Sequence, residues 1–271
     1  MYRSDSHVHS EFSGDSVESL ERIIQRAKDL KMDEITITDH LDLDFPMEPN
    51  IFTLDFNKYI DKVKELKNRE KDIKVRIGIE IGLQPHLVQN YEMIFKNQDI
   101  DFIIGSSHSI SRKDVSNKEF FLGKEKDEAH REYFLEVLEN IDLFPGISVY
   151  GHLDFINRYG AGIYDNYKEL NYDLHWEIIE KILKKLISKR IGLEVNTSGL
   201  RYGLENFHPH TRILKRYKEL GGEIITIGSD SHKSEDLMKD FETVKKILKD
   251  LGFTHYCTFE NKKIKNRDLE I

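Results

Sequence analysis

A barrel of parallel β-strands wrapped in helices is the fold this sequence predicts, and three observations lead to it. The chain alternates short apolar runs with charged amphipathic stretches seven times over, the pattern of parallel strands joined by helical crossovers. The strand-like runs end in histidine, aspartate, glutamate or asparagine. Successive ends (9 to 40, 40 to 80, 80 to 108, 108 to 152, 152 to 196, 196 to 230) lie 28 to 44 residues apart, and one strand–helix unit takes about 30 residues or somewhat more. An open sheet would spread seven strand ends along too wide a line to meet. A closed one gathers them at one mouth.

The strands read in order as Ser6-His7-Val8-His9, Ile35-Thr36-Ile37-Thr38-Asp39-His40, Arg76-Ile77-Gly78-Ile79-Glu80, Phe102 to His108, Ser148-Val149-Tyr150-Gly151-His152, Leu193-Glu194-Val195-Asn196 and Ile225 to His232. Between them, residues 16–31 carry Val17, Leu20, Ile23, Ile24, Ala27 and Leu30 at helical spacing, and residues 173–190 carry Leu174, Ile178, Ile179, Ile182, Leu183, Leu186 and Ile187. Further helices are expected over 55–70, 86–97, 126–142, 209–220 and 234–251. The segment from His255 to Glu260 reads as an extra strand or a docked tail.

With 271 residues, 38% hydrophobic, and no Pro/Gly/Ser-rich linker, the chain is expected to be one domain over residues 1–271. It has no apolar stretch of membrane-span length and no signal-peptide pattern at Met1-Tyr2-Arg3-Ser4-Asp5. Cys257 is the only cysteine, which excludes an intrachain disulfide and a thiolate metal site. These features predict a cytoplasmic protein without a membrane partner. A formal charge of −8 disfavours nucleic acid as a partner. Lysines such as Lys181, Lys184 and Lys185 alternate with glutamates and read as solvated helix faces.

His7 and His9 are two apart on a strand, so they face one side about 7 Å apart. Two imidazoles on an inward face need partners, and imidazoles with carboxylates hold zinc, iron or manganese. His40, His108, His152 and the pair Asp230-x-His232 recur at the other strand ends. Glu80 sits in an otherwise apolar run and needs a cation or a hydrogen-bond network; an ion pair with Arg76 is the alternative. Asp39 reads either as the orienter of a neighbouring imidazole or as a loop cap. Asp15 with Glu18 forms a capping pattern, so Asp15 reads as an N-cap or a ligand. His86, His130, His175 and His255 lack the strand-end setting and read as surface or packing residues. His208-Pro209-His210 precedes a helix and reads as a loop and N-cap, with substrate contact as the alternative.

Taken together, Asp5-x-His7-x-His9-Ser10-Glu11-Phe12-Ser13-Gly14-Asp15-Ser16, Gly151-His152-Leu153-Asp154, Asn196-Thr197-Ser198-Gly199-Leu200-Arg201 and Gly228-Ser229-Asp230-Ser231-His232 resemble the PHP (polymerase and histidinol phosphatase) superfamily of metal-dependent phosphoesterases. The likeness spans nearly the whole chain and is greatest to the single-domain histidinol-phosphate phosphatases of histidine biosynthesis. It implies a distorted (β/α)7 barrel holding three divalent metal ions (Zn, Mn or Fe). One would sit on His7, His9, Glu80 and Asp230, a second on Glu80, His108 and His152, and a third on Asp15, His40 and His232. Asp15 departs from relatives with histidine at this position, and an oxygen ligand there shifts preference toward manganese or iron.

The implied reaction is hydrolysis of L-histidinol phosphate by a metal-bridging hydroxide. Arg158 and Arg201, in loops after barrel strands, are the expected phosphate clamp, since the guanidinium fork fits phosphate oxygens. Asp39, Asp154 or a metal-bound water would serve as general acid. Glu11, Phe12 and Tyr159 are candidates for substrate contact. Rival readings keep the site but change its use: nucleotide, oligonucleotide or phosphotyrosine hydrolysis within the superfamily, a non-catalytic metal-binding module, or an amidohydrolase-type barrel. The last usually wants a lysine where Glu80 stands.

Overall fold

The computed structural model describes residues 2–269 apart from Met47 and Asn97. Its strands are β1 (Ser4–Asp5), β2 (Glu34–Ile37), β3 (His40–Leu41), β4 (Lys74–Gly82), β5 (Phe102–Ser106), β6 (Ser109–Ile110), β7 (Lys113–Asp114), β8 (Val149–Tyr150), β9 (Gly192–Asn196), β10 (Ile225–Gly228), β11 (His255–Glu260) and β12 (Lys263–Asp268). The α-helices are α1 (Leu20–Asp29), α2 (Phe56–Arg69), α3 (Val88–Phe95), α4 (Lys118–Phe121), α5 (Lys126–Leu143), α6 (Tyr172–Lys189), α7 (Ser198–Arg201), α8 (Thr211–Glu219) and α9 (Phe241–Asp250). No helix among the described residues is long and apolar enough to cross a membrane.

Strands β1, β2, β4, β5, β8, β9 and β10 form one sheet in that order, every pairing parallel, with β3 continuing the second strand beside β4. The ends of this sheet meet. Ser6 N donates to Ile227 O (3.1 Å), Asp230 N to His7 O (2.8 Å) and His9 N to Ser231 O (2.9 Å). The expected distorted (β/α)7 barrel is therefore what the chain forms, and its parallel strands bring their C-terminal ends to one mouth.

The helices bury most of the stripes that the spacing marked, although Val17, ahead of the first helix, and Leu174 are exposed. In α1, Leu20, Ile23, Ile24 and Ala27 are buried; in α6, Ile178, Ile179, Ile182, Leu183 and Leu186 are. Each large aliphatic side chain so removed from water contributes about 1.5–3 kcal/mol. Helix α1 begins later than expected. Ser19 is its N-cap, accepting from Arg22 N at 3.3 Å, and Glu11 Oε2 accepts from Leu20 N at 2.7 Å. The residues from 14 to 18 are thus free to form a loop over the mouth.

Inside the barrel, Glu80 lies opposite His40 on one side and Ile104 on the other. A small apolar cluster of Phe102, Ile104, Val149, Cys257 and Phe259 brings β11 onto the strands. The expected extra strand is one arm of an antiparallel hairpin, β11–β12. The other insertion is the hairpin β6–β7, directly after His108.

Candidate functional site

The nine residues read from the sequence as metal ligands meet at the barrel mouth around Glu80. Glu80 Oε2 lies 3.1 Å from His7 Nε2, 3.4 Å from His9 Nε2 and 3.1 Å from His40 Nδ1. Its Oε1 lies 2.9 Å from His152 Nε2 and 3.4 Å from His108 Nε2. Asp230 Oδ1 is 3.3 Å from His9 Nε2 and 3.7 Å from His7 Nε2. Asp15 Oδ2 is 3.1 Å from His232 Nε2 and 3.7 Å from His40 Nε2. The capping alternative for Asp15 fails, because its carboxylate turns to His232 and Ser19 caps the helix.

Three imidazoles share one mounting. His7 Nδ1 meets Glu194 Oε1 at 2.6 Å, His108 Nδ1 meets Asp42 Oδ2 at 2.6 Å, and His9 Nδ1 meets Ser13 Oγ at 3.0 Å. Each outer acceptor selects the tautomer with the proton on Nδ1 and leaves the Nε2 lone pair facing the cluster. Ser13 Oγ in turn donates to Asp39 Oδ1 (2.8 Å), which also accepts from Ser10 N (2.5 Å), while Asp39 Oδ2 accepts from Ser10 Oγ (2.7 Å). Asp39 is fully buried, and burial raises its pKa to about 6 against these hydrogen bonds. It bonds the Ser13 hydroxyl that meets His9, which is the orienting position that the sequence left open beside a loop cap, and it is not among the residues that wall the cavity described below.

Close approach is built into the backbone. At Gly228, a Cβ would collide with the Glu194 carboxylate and with the Cβ of His7, so only glycine lets that pair form. His152 (φ +22°) and Asp230 (φ +54°) hold left-handed backbone, which is strained for non-glycine residues. Both amides are tied down, His152 N to Glu194 Oε2 at 2.9 Å and Asp230 N to His7 O at 2.8 Å.

The electrostatics are tightly coupled. Burial disfavours charge on Glu80, but His7, His40 and His108 outweigh it and hold its carboxyl well below the usual range. Burial likewise opposes the Asp230 carboxylate, and His7, His9, His232 and Arg158 hold its pKa low. Burial would depress His7, yet Glu194, Glu80 and Asp230 raise it well above an ordinary histidine. His9 falls to about 3, through burial and the crowding of His232 and His40. His9 Nε2 and His40 Nδ1 are buried polar atoms without a hydrogen-bond partner among the described residues. Such atoms are costly unless something outside the chain satisfies them.

Convergent lone pairs and ionised carboxylates fit a divalent metal. Two ligand atoms about 2.0–2.2 Å from one tetrahedral ion stand roughly 3.3–3.6 Å apart, close to the 2.9–3.7 Å spacings here. Three overlapping groups have donor atoms within 4.8 Å of one another: His7, His9 and Asp230; His9, His40 and His232; and His40, Glu80 and His108.

Above this cluster opens a cavity of about 380 Å³, walled also by Phe45, Phe52, Phe155, Tyr159 and Tyr202, with Asp114, Ser116 and Arg158 at its rim. Arg158 lies between the rings of Phe155 (4.7 Å) and Tyr202 (4.3 Å). Its Nε bonds His208 Nε2 at 2.9 Å, one Nη2 donates to Ser198 Oγ, and Nη2 is 3.6 Å from Asp230 Oδ2.

The other expected clamp, Arg201, does not line this cavity. It donates to Ser229 O (2.7 Å) and Asp230 O (2.9 Å) and so braces the loop that carries Asp230. Asp154, another of the candidate acids, is also not among the residues lining this cavity. Its Oδ1 meets His208 Nδ1 at 2.5 Å, and its Oδ2 accepts from His210 N (2.9 Å) and Tyr172 Oη (3.3 Å). It stands behind His208, holding the ring that holds Arg158. Glu11 and Phe12 lie outside the cavity, Glu11 at the start of α1 and Phe12 against Tyr59; Tyr159 is within it.

The PHP domain family matches residues 5–198. The chain belongs to that family. As a PHP domain it is 34% identical over 266 residues to the histidinol-phosphatase of Lactococcus lactis, covering 97% of both chains. It is 32% identical over 245 residues to a probable histidinol-phosphatase of Clostridium acetobutylicum, covering 90% of this chain and 91% of that one. Among solved structures, it superposes with a TM-score of 0.89 and 33% identity on the Lactococcus lactis histidinol phosphate phosphatase, solved with zinc, L-histidinol and phosphate. That match covers 97% of this chain and 98% of the other. A divalent-metal site is thus supported by this PHP domain's own donor geometry and by the zinc in its relative.

Proposed function

We propose that this chain is a metal-dependent phosphomonoesterase that hydrolyses L-histidinol phosphate to L-histidinol and phosphate. The observation that carries the reading is a cavity lined by Arg158 together with seven of the nine converging imidazoles and carboxylates. A relative 33% identical over nearly the full chain, solved with L-histidinol and phosphate, supports the substrate.

We assign three ions, Zn, Mn or Fe, to His7, His9, Glu80 and Asp230; to Glu80, His108 and His152; and to Asp15, His40 and His232. Glu80 joins the first two sets because its two oxygens point to different imidazoles. Metals bound there supply Lewis acidity toward phosphoryl oxygen and an ionised water at neutral pH. The chain's own groups do the rest. Glu194, Asp42 and Ser13 accept from Nδ1 of His7, His108 and His9, so that Nε2 is the nitrogen each ring would offer a metal. Arg158, locked by His208 and two aromatic rings, presents its guanidinium to phosphate oxygens. The aromatic wall narrows the cavity around the leaving alcohol. We read residues 1–271 as one domain of this kind, since its ligands run from His7 to His232 and the terminal hairpin packs on the barrel.

The test is a phosphate-release assay on L-histidinol phosphate, an oligonucleotide and phosphotyrosine, with Mn, Zn or Fe supplied. Histidinol phosphate should be turned over fastest, and a chelator should abolish release. Preference for another substrate, or chelator-resistant turnover, overturns the assignment.

A further inference from the structure

A second cavity, of about 420 Å³, is lined by Asp154, Asn157, Glu169, Tyr172, Glu205 and His208 among others, and no residue lines both it and the metal cavity. The two meet at the short helical turn Phe155–Arg158, where Phe155 and Arg158 face the first and Asn157 lines the second. Asn157 is 5% exposed. The Tyr172 hydroxyl has one proton and gives it to Asp154 Oδ2 (3.3 Å), a carboxylate oxygen that can only accept. Tyr172 Oη therefore accepts from Asn157 Nδ2 (3.5 Å). That fixes the amide and leaves its Oδ1 a buried acceptor without a hydrogen-bond partner among the described residues. Such an atom calls for a donor from outside the chain.

Charge selects the donor. Asp154, Glu169 and Glu205 bring three carboxylates to this wall, against the ammonium of Lys168, which is turned to Gly203 O at 2.9 Å. Among the described residues neither Glu169 nor Glu205 forms an ion pair. Burial holds His208 and His210 below the usual histidine pKa, so neither ring adds a charge. A wall of this kind rejects anions. It does not suit a bare metal ion either, because among the described residues the groups with metal-type donors within 4.8 Å of one another all lie at the barrel mouth. Separated acceptors beside the apolar side chains of Leu170, Leu204 and Phe207 suit an organic cation.

We propose that this cavity is a second ligand site, for a small organic ammonium ion, and that its occupancy tightens phosphate binding at Arg158. Asp154 Oδ1 holds His208 Nδ1, and His208 Nε2 accepts from Arg158 Nε at 2.9 Å, so the Asp154 charge offsets part of the guanidinium's. A cation beside Asp154 takes up that charge and leaves more of Arg158 to an anion. The coupling rests on the phosphate role given to Arg158 above; the second site itself does not.

Calorimetric titration of the manganese-loaded protein with 1,4-diaminobutane and with 1,4-butanediol, which match in shape, tests the site. The diamine should bind saturably and about tenfold or more tighter than the diol, and Glu169→Gln/Glu205→Gln should lose that difference. Inorganic phosphate titrated at saturating diamine should bind about fivefold or more tighter than without it, an effect absent from the double variant. Equal binding of diamine and diol, a preference that survives the double variant, or a phosphate affinity unmoved by the diamine overturns the proposal. Phosphate binding absent both with and without the diamine would instead sink the role of Arg158 on which the coupling rests.

Discussion

Glu194→Gln tests whether the outer carboxylates set the tautomers of the ligands. Glu194 is 1% exposed. Its Oε1 takes the His7 Nδ1 proton at 2.6 Å, and its Oε2 accepts from His152 N at 2.9 Å and Asn196 Nδ2 at 3.2 Å. A glutamine of the same shape has one acceptor for these two sides. With its oxygen toward His152 N and Asn196 Nδ2 it satisfies two donors, but its amide then donates to His7 Nδ1. The His7 proton must move to Nε2, and the lone pair facing Asp230 and Glu80 is lost. With the amide reversed, His7 keeps its tautomer and two buried donors face an NH2 group, at about 1–3 kcal/mol for each one left unsatisfied. The first arrangement is the cheaper. Loss of an outer partner of this kind weakens metal binding by about 10–100-fold, which is roughly 1.4–2.7 kcal/mol. Competition against a chromogenic chelator, with circular dichroism to verify the fold, measures it. A folded Glu194→Gln protein with metal affinity within twofold of wild type would refute the tautomer argument.

The two arginines should separate. Arg158→Ala should raise KM for the phosphomonoester about tenfold or more at unchanged metal content, since it removes a charged contact to the anion. Arg201→Ala breaks two bonds to Ser229 O and Asp230 O and should cost about 2–3 kcal/mol of stability, read as a lowered thermal midpoint. An unmoved midpoint with a raised KM would restore Arg201 to the clamp. His130 on α5 is buried 6.0 Å from the ring of His175 on α6. Burial, with His175 and Lys126 adding to it, pushes its pKa down to about 3. The unfolded chain takes up that proton near 6.5 and the folded chain only near 3, so between these values the unfolded state binds more protons and stability is lost as the pH is lowered. The unfolding free energy should be roughly 1–2 kcal/mol lower at pH 5 than at pH 7 from this group. His130→Leu should flatten that slope; a slope equal to wild type would show the group is not responsible.

What the sequence made legible was whatever period and position encode. Residues 55–70 were expected to be helical and α2 is Phe56–Arg69; residues 173–190 were, and α6 is Tyr172–Lys189. Eight of the nine ligand-type residues could be found because they stand at or near strand ends, which a closed parallel barrel gathers at one mouth, whereas Asp15, in the loop before α1, came only with the family resemblance. Partners were harder, because pairing between distant strands leaves no local trace. Asp39 and Asp154 looked like acids near the mouth, but their oxygens are consumed by Ser10, Ser13, His208 and His210. Glu194 and Asp42 were not singled out, although Glu194 stands in Leu193-Glu194-Val195-Asn196 much as Glu80 stands in its own apolar run. The role of His208 was hidden by the proline after it, which suggested only a loop.

The backbone seam that shuts the barrel ties residues 6–9 to residues 227–231, and across it the Asp230 carboxylate meets the imidazoles of His7 and His9. While the ribosome is still making the chain, His9 waits 221 residues (230 − 9) for Asp230. The cation cradle proposed above therefore cannot be complete on a nascent polypeptide. On that assignment a cation spanning the seam would work as a rivet: removing it should loosen the first and last strands before any others, and amide exchange at His9 and Asp230 should quicken ahead of exchange at Ile79 in the middle of the ring.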